Sequence, residues 1–244
     1  MDLGLLNRFR TFNSQVGNLN PKNGKDKKKL AKIEREELPK LLQAVKSKAP
    51  LAAEFLKTYF NEKNAGLVTF DFKKSGLWEN EYTRQSLKNL DAYFGFKYSD
   101  NGDMIPGASR KQSTVGKIRE KLKNKPANTT INITDPWETQ AGYDDPNFRH
   151  ALGKATLKGM FTGTAKKLPN GKIHITGKIE YQVQDSYDWD RHYTHIKTPL
   201  TNFTIKVYDS NMKKFATAGL AKEFDVKSTT VTETVNVTMN ASGP

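Results

Sequence analysis

Residues 173–195 read IHITGKIEYQVQDSYDWDRHYTH, and this stretch decides how the second half of the chain folds. In its first part, apolar residues alternate with polar residues or glycine. The apolar positions are Ile173, Ile175, Ile179, Tyr181 and Val183. Alternation with a period of two predicts a β-strand that buries one face. If the strand continues, Asp185 and Tyr187 lie on the buried face and Asp188 lies on the opposite face.

The second part of the stretch carries an unusual density of reactive groups. Residues 184–195 contain three carboxylates, one guanidinium, two imidazoles and two phenols. Neighbouring carboxylates repel each other, and a carboxylate on the buried face of a strand costs free energy unless it binds a metal, a base or a substrate. The cluster therefore predicts a binding or catalytic site. The alternative is a solvated hairpin loop whose charges have no function.

Asp185 and Asp188 are the candidate metal ligands. Two carboxylates a few residues apart can hold Mg²⁺, which prefers oxygen ligands and keeps waters for a phosphate substrate. Arg191 offers a forked donor that suits phosphate oxygens. Either His192 or His195 can act as a general acid or base near neutral pH. Together these residues suit attack on a phosphate or pyrophosphate ester.

Tyr187 completes the candidate catalytic set, as a side chain that orients a phosphate or a leaving oxygen. A zinc site fits less well, because His192 and His195 have no helical context and the chain has no cysteine. The sequence contains no P-loop, no Gly-x-Ser-x-Gly elbow and no Gly-x-Gly-x-x-Gly motif. Serine-hydrolase and nucleotide-cofactor chemistries therefore have no support.

Length and composition set wider bounds. A chain of 244 residues can bury a core and form one or two domains. No window approaches the roughly 20 apolar residues of a membrane span, and the N-terminus lacks the pattern of a Sec signal peptide. The absence of cysteine excludes disulfides and thiolate sites, and it suits a protein that works in an oxidising compartment.

The net charge of +14 is concentrated in the first half of the chain. Residues 1–126 hold 26 Lys and Arg against 14 Asp and Glu, whereas residues 127–244 hold 14 against 12. A nucleic-acid enzyme is expected to surround its reactive site with basic residues, and here they lie in the other half. The basic half fits an anionic membrane surface, a negatively charged delivery partner, or ordinary lysine-rich helix faces.

The same division appears in the secondary-structure pattern. Residues 1–26 are rich in Asn and Gly and predict a loosely ordered leader or linker. From residue 27, apolar residues at helical spacing predict helices, and Pro39 predicts a kink or two consecutive helices. We therefore predict a helical, basic region for delivery or loading over residues 1–126, and a β-rich catalytic domain over residues 127–244.

Strand patterns dominate after residue 126. Two long strands, roughly 153–166 and 171–185, are joined by Asn170-Gly171, a strong hairpin signal. Residues 135–138 predict a loop, and Asp209-Ser210 predict the cap of a helix that covers residues 212–224. The predicted fold class is α+β, with a helical N-terminal half and a C-terminal curved antiparallel β-sheet or partial barrel with a packed helix.

The motif Asp185-x-Tyr187-Asp188, at the end of a glycine-punctuated hairpin with Arg and His downstream, resembles the signature of colicin M-type bacteriocins. Residues 151–190 and the segment 219–224 also resemble C-terminal toxin domains of bacterial polymorphic and type VI-delivered effectors. The resemblance implies an enzyme that cleaves lipid II, the undecaprenyl-pyrophosphate precursor of peptidoglycan, between its lipid and its pyrophosphate with the help of Mg²⁺.

Three positions match the family motif directly. They are Asp185, Tyr187 and Asp188, with Asp188 as the implied catalytic carboxylate. The family places a His-Arg pair after a gap of five residues. This chain has Arg191-His192, which is closer and reversed in order, while His195 lies near the expected distance and is followed by isoleucine. The identity of the acid or base stays open between the two histidines.

The resemblance also implies a setting for the reaction. It implies a delivered antibacterial toxin without a Sec signal that acts in the periplasm of a target cell, on lipid II or another polyprenyl phosphate at the membrane surface. Expected partners are a secretion-system component and a cognate immunity protein, and nucleic acid is not expected. Two alternatives remain: a nucleic-acid-targeting toxin, motivated by the basic first half, and a non-enzymatic adaptor of a secretion particle.

Overall fold

The alternating stretch forms a strand of 16 residues, β6 (Lys172–Tyr187), which pairs along both of its edges. The computed structural model describes residues 3–47, 49–61, 66–99, 101, 103–107, 110–189, 194–197, 204–207 and 209–241. Within these ranges the helices are α1 (Leu3–Gly17), α2 (Gly24–Lys46), α3 (Pro50–Tyr59), α4 (Glu81–Phe94), α5 (Thr114–Leu122), α6 (Pro146–Ala151) and α7 (Asp209–Thr217). The other strands are β1 (Leu67–Phe70), β2 (Phe96–Tyr98), β3 (Met104–Pro106), β4 (Thr130–Gly142), β5 (Lys154–Lys167), β7 (Thr194–Lys197), β8 (Thr204–Val207), β9 (Phe224–Ser228) and β10 (Val231–Asn240).

Six of the described strands form one sheet, in the order β1-β9-β6-β5-β4, and β10 also pairs with β6. β5 runs antiparallel to β6, with Thr156 opposite Gln184 and Lys167 opposite Ile173. β10 runs antiparallel to the first ten residues of β6. The predicted α+β class is confirmed, and the sheet is open rather than closed on itself.

The predicted hairpin joins β5 to β6. The backbone N–H of Leu168 donates to the carbonyl oxygen of Lys172 at 2.8 Å, and the N–H of Gly171 donates to Leu168 at 3.0 Å. Gly171 has a φ of +78°, a conformation that strains any residue with a Cβ atom. The Asn-Gly signal therefore marks the turn because glycine supplies the left-handed conformation.

Inside the hairpin, Gly163 lies directly opposite Gly177. A Cβ atom on Gly163 would lie 2.2 Å from the carbonyl oxygen of Thr176, and the fully buried ring of Phe161 covers the same place. The two glycines let the backbones approach closely beneath that ring, as glycines inside strands often do.

The N-terminal leader predicted over residues 1–26 is wrong, because helix α1 begins at Leu3. Its apolar residues Phe9, Phe12 and Val16 recur at helical spacing and are buried. The ring of Phe12 stacks on Phe215 of α7 with centroids 5.8 Å apart. The Asn and Gly content of residues 1–26 suggested disorder. The helix forms because its apolar stripe is buried, which stabilises it.

Two further local predictions are corrected. The alternative of two consecutive helices at Pro39 is wrong, because α2 continues through Pro39 as one helix. The exposed proline lies between buried Leu38 and Leu41, whose packing offsets the lost backbone hydrogen bond. The loop predicted over residues 135–138 is part of β4. There, Asp135 accepts hydrogen bonds from Thr114 at 2.6 Å and from Lys117 at 2.8 Å, which satisfy a carboxylate that is only 9% exposed.

The chain forms two compact units, each assembled from separated stretches. The first comprises Met1–Val68, Gly142–Lys154 and Asp185–Val226, and the second comprises Thr69–Ala141, Ala155–Gln184 and Lys227–Pro244. Both units take residues from before and after the predicted boundary at residue 126. The roles predicted for residues 1–126 and 127–244 stay predictions. No described helix combines the length and the hydropathy needed to cross a membrane.

The core of the second unit contains an ionisable side chain. Asp91, on the buried face of α4, is 5% exposed and accepts a 2.7 Å hydrogen bond from the hydroxyl of Tyr181. Nearby, Glu233 accepts a hydrogen bond from Tyr98. Burial raises the pKa of Asp91 to about 6; the Tyr181 hydrogen bond opposes the shift, the charge of Glu233 adds to it, and Arg84 weakly opposes it.

Asp91→Asn is expected to increase the free energy of unfolding at pH 7.5. The native state binds the Asp91 proton more tightly than the unfolded chain, whose Asp pKa is about 3.9. The stability that this proton supplies is therefore present at about pH 4 and lost as the pH rises through 6, a loss of at most about 3 kcal/mol. Asparagine keeps an acceptor for Tyr181 without the charge. Urea unfolding at pH 7.5 and pH 4 measures the effect, which should nearly vanish at pH 4.

Asp91→Ala is the matched control. It leaves the buried Tyr181 hydroxyl without an acceptor and should lower the free energy of unfolding by about 1–3 kcal/mol at pH 4. A destabilisation by Asp91→Asn of equal size at both pH values would contradict the assignment of a costly buried charge.

Candidate active site

The end of β6 turns inside the first unit. The backbone N–H of Asp188 donates to the carbonyl oxygen of Ser186 at 3.1 Å, which closes a three-residue turn centred on Tyr187. The turn breaks the alternation of the strand, so that Asp188 lines the same cleft as Asp185 and Tyr187. Phase alone predicts Asp188 on the opposite face; the turn is what brings the three residues to one cleft.

Tyr187 is 6% exposed, as its phase in the strand predicts, and its ring lies among four other aromatic rings. It stacks on Phe224 at 5.1 Å between centroids and meets Trp189 edge-on at 5.6 Å. Phe55 and Tyr59 contact it at 5.7 and 6.1 Å. Such clusters bury large areas and prefer these geometries, so they hold the ring in one position.

The hydroxyl of Tyr187 stays protonated. Burial raises the pKa of Tyr187 far above its ordinary value, and Tyr59 and Asp209 raise it further. No group among the described residues is found hydrogen-bonded to this hydroxyl. Tyr187 can therefore offer a neutral hydroxyl to a ligand in the cleft, but it cannot act as a phenolate.

Hydrogen bonds on either side hold the turn in place. The hydroxyl of Ser186 donates to Asp225 at 2.7 Å, and the backbone N–H of Trp189 donates to the carboxylate of Glu223 at 3.4 Å. The indole nitrogen of Trp189 is buried without a hydrogen-bond partner among the described residues. A buried donor without a partner costs free energy, and Trp189 also lines the cleft.

Arg149 supplies a guanidinium to the cleft, and sequence reasoning did not select it. It lies in α6, where Asp145 caps the helix by accepting from the N–H groups of Asn147 and Phe148 at 2.9 and 3.3 Å. Its Nη1 atom lies 3.6 Å from a carboxylate oxygen of Asp144, whose side chain is 73% exposed. Solvent screens a pair with one such exposed partner and weakens it, so Arg149 can exchange this contact for a phosphate oxygen.

Asp209, the first residue of α7, is a further carboxylate of the cleft, and it is 2% exposed. The sequence reading took it for a helix cap, which is the commonest role of an Asp at that position. No local pattern distinguishes the two roles, because the lining of the cleft depends on packing between distant segments.

Most of the remaining wall of the cleft is apolar and comes from the N-terminal helices, and Ala151, Leu152 and Met212 add to it. The residues from the N-terminal helices are Phe9, Phe12, Leu38, Leu41, Val45, Ala52 and Leu56. The free volume of the cleft is about 120 Å³. Pockets for drug-sized ligands are roughly 300–1,000 Å³, so the cleft can take only a small part of a large substrate.

The residues of the cleft are compatible with the predicted Mg²⁺. Among the described residues, no group of three or more His, Cys, Asp or Glu side chains comes together as a metal site. Mg²⁺ needs fewer, since proteins often hold it with one or two carboxylates plus substrate phosphates. Asp185, Asp188 and Asp209 all line the cleft and supply carboxylate oxygens of the kind that Mg²⁺ prefers.

The structure describes only part of the predicted His192, His195 and Arg191. Arg191 and His192 lie outside the described residues. His195 belongs to β7, where its backbone is opposite Lys206 of β8; its side chain lies outside the described part of the structure. The cleft therefore unites Asp185, Tyr187 and Asp188 from the predicted set and adds Arg149 and Asp209.

Comparison with known proteins yields similarity in structure alone. No protein-family model matches the sequence, and no curated protein matches it. The fold is similar to that of a colicin M-like bacteriocin. That structure is PaeM from Pseudomonas aeruginosa, with 13% identity and a TM-score of 0.33 over 78% of this chain and 50% of PaeM.

Two further solved structures show the same level of similarity. Syringacin M, a bacteriocin from Pseudomonas syringae pv. tomato DC3000, is 15% identical, with a TM-score of 0.32 over 78% of this chain and 60% of its own. Pectocin M2 is 13% identical, with a TM-score of 0.29 over 82% of this chain and 61% of its own. The chain thus spans half to three fifths of each structure.

Tyr187→Phe is expected to fold with nearly unchanged stability. Phenylalanine keeps the ring packing and removes a hydroxyl for which no partner is described, so the free energy of unfolding should change by less than about 0.5 kcal/mol. Tyr187→Ala should lose about 3–5 kcal/mol because it leaves a cavity in the aromatic cluster. Urea unfolding checks both values. A loss above 2 kcal/mol for Tyr187→Phe would show that the hydroxyl has a structural partner.

Proposed function

We propose that the protein is an antibacterial toxin that hydrolyses the bond between lipid and pyrophosphate in lipid II. One observation carries the proposal: the acidic motif residues Asp185 and Asp188, the guanidinium of Arg149 and an apolar wall line a single cleft. A lipid-linked pyrophosphate has the same two parts, an anionic head and an apolar chain. The motif's resemblance to colicin M-type bacteriocins adds the substrate class.

Each described residue has a distinct task in this reaction. Arg149 binds non-bridging oxygens of the pyrophosphate with its forked donors. Asp185 and Asp188 would hold Mg²⁺, which when bound neutralises phosphate charge and lowers the pKa of a coordinated water. The neutral hydroxyl of Tyr187 donates a hydrogen bond to a phosphate or leaving oxygen.

The reaction consumes one water molecule. Its oxygen forms a bond to the phosphorus nearest the lipid, and the bond from that phosphorus to the lipid oxygen breaks. The polyprenol leaves with one proton, and the pyrophosphate stays on the sugar with the other proton released. We assign the proton transfers to His192 or His195, the imidazoles that the sequence places after the acidic motif.

The toxin has to reach its substrate in the target cell. Lipid II is exposed on the periplasmic side of the target-cell membrane, so the toxin must be delivered there, with a secretion-system component as one partner. A cell that makes the toxin needs a cognate immunity protein. The basic helical residues 1–126 are proposed to serve delivery or loading, in addition to the wall that α1, α2 and α3 contribute to the cleft.

Asp188→Asn is expected to abolish hydrolysis, lowering the rate on purified lipid II by at least about 100-fold, because one candidate Mg²⁺ ligand loses its charge. Asp188 is exposed, so the fold should not change. Glu36→Gln, which removes an exposed carboxylate of the same unit outside the cleft, is the matched control and should keep full activity. Full activity of Asp188→Asn would exclude this residue from the reaction.

Targeted expression tests the site of action. Wild-type protein directed to the bacterial periplasm should lyse cells, whereas the same protein kept in the cytoplasm should not. Equal toxicity in both compartments would contradict the proposal, and toxicity confined to the cytoplasm would favour the nucleic-acid-targeting alternative. That alternative also requires nucleic-acid binding that weakens steeply with salt.

A further inference from the structure

The apolar wall of the cleft raises the question of which part of a lipid substrate it contacts. Leu41 and Val45 of α2 and Leu56 of α3 line the cleft that also holds Asp185 and Arg149. Leu41 is buried, whereas Val45 and Leu56 are half-buried and border the free space. Catalysis at a phosphate group does not need an apolar wall. The wall therefore suits contact with an apolar part of the ligand.

The size of the cleft limits that part. An apolar cavity of about 150 Å³ holds one benzene ring. The cleft is open to solvent, and its free space of about 120 Å³ leaves room in its apolar part for at most one five-carbon unit, with the charged head toward the exposed Asp188. A whole polyprenyl chain cannot enter it. The unit has to be the one bonded to the pyrophosphate, because the charged residues line the same small space.

We propose that the cleft recognises the isoprene unit directly attached to the pyrophosphate and seats it against α2 and α3. This inference rests on the proposed function and specifies how that site selects its substrate. Chain length beyond the first unit then contributes little to recognition in the cleft. The N-terminal helices take part in substrate binding and are not only a delivery region.

A series of soluble competitors tests the inference on the wild-type protein. Dimethylallyl pyrophosphate, farnesyl pyrophosphate and inorganic pyrophosphate are compared as inhibitors of lipid II hydrolysis. The one-unit and three-unit compounds should have inhibition constants within about threefold of each other, and inorganic pyrophosphate should be at least about tenfold weaker, since burial of each CH₂ group favours binding. Equal inhibition by all three compounds, or a steady gain with chain length, would overturn the inference.

Substitutions that fill the cleft test the same inference. Val45→Trp and Leu56→Trp replace half-buried residues with larger ones that extend into the free space. Each should raise the KM for lipid II by about tenfold with little change in kcat, because ground-state and transition-state binding are lost together. Inhibition by inorganic pyrophosphate should stay the same. Gln43→Trp, at an exposed position of α2 outside the cleft, is the matched control and should behave as wild type.

The outcomes separate this inference from the proposed function. Absence of lipid II hydrolysis by the wild type contradicts the proposed function. In that case, calorimetry with farnesyl and inorganic pyrophosphate still tests the apolar seat, and equal or absent binding of the two overturns it. Hydrolysis by the wild type, together with an unchanged KM in both tryptophan variants, overturns the inference alone. Circular dichroism and thermal melting identify a variant that does not fold, and the competitor series then decides the question.

Discussion

The packing of the Tyr187 ring is the interaction on which the candidate site depends. Four aromatic rings surround it, and its pKa is raised because it is withdrawn from water. The strand that carries it alternates buried residues with less buried ones from Ile173 onward. Anchoring the ring fixes where the strand ends, and the short turn from Ser186 to Asp188 then places a carboxylate on either side of it. Without this anchor, the two acids would have no reason to share a cleft.

The first unit shows why this site needs residues from the whole chain. Its three stretches supply the helices of the apolar wall, the arginine of α6 and the acidic end of β6. The boundary predicted at residue 126 follows a change in composition, although β1, β2 and β3 precede it and α6 and α7 follow it. The two compact units are determined instead by packing between segments that are distant in sequence. Each unit therefore contains residues from both sides of that boundary. Lining one cleft with residues from both sides is consistent with a catalytic unit that includes the N-terminal helices.

The sequence was informative where a local pattern determines structure. Alternation predicted β6 with its buried Tyr187, and Asn170-Gly171 predicted the hairpin turn because only a residue without Cβ adopts that backbone conformation easily. Helix α1 was not predicted, because the Asn and Gly content of this segment is typical of disorder and its apolar stripe is short. The contributions of Arg149 and Asp209 could not be predicted, since each depends on contacts between segments that are remote in sequence. The turn at Tyr187 escaped prediction for a related reason: strand phase cannot show where a strand stops.

The central claim is that this cleft cleaves the bond between lipid and pyrophosphate. Its most direct test is mass spectrometry of lipid II after incubation with the protein and Mg²⁺ in water enriched in oxygen-18. The account predicts unlabelled polyprenol and a pyrophosphoryl-sugar product that carries one heavy oxygen. Intact lipid II, or cleavage between the two phosphates, would contradict it.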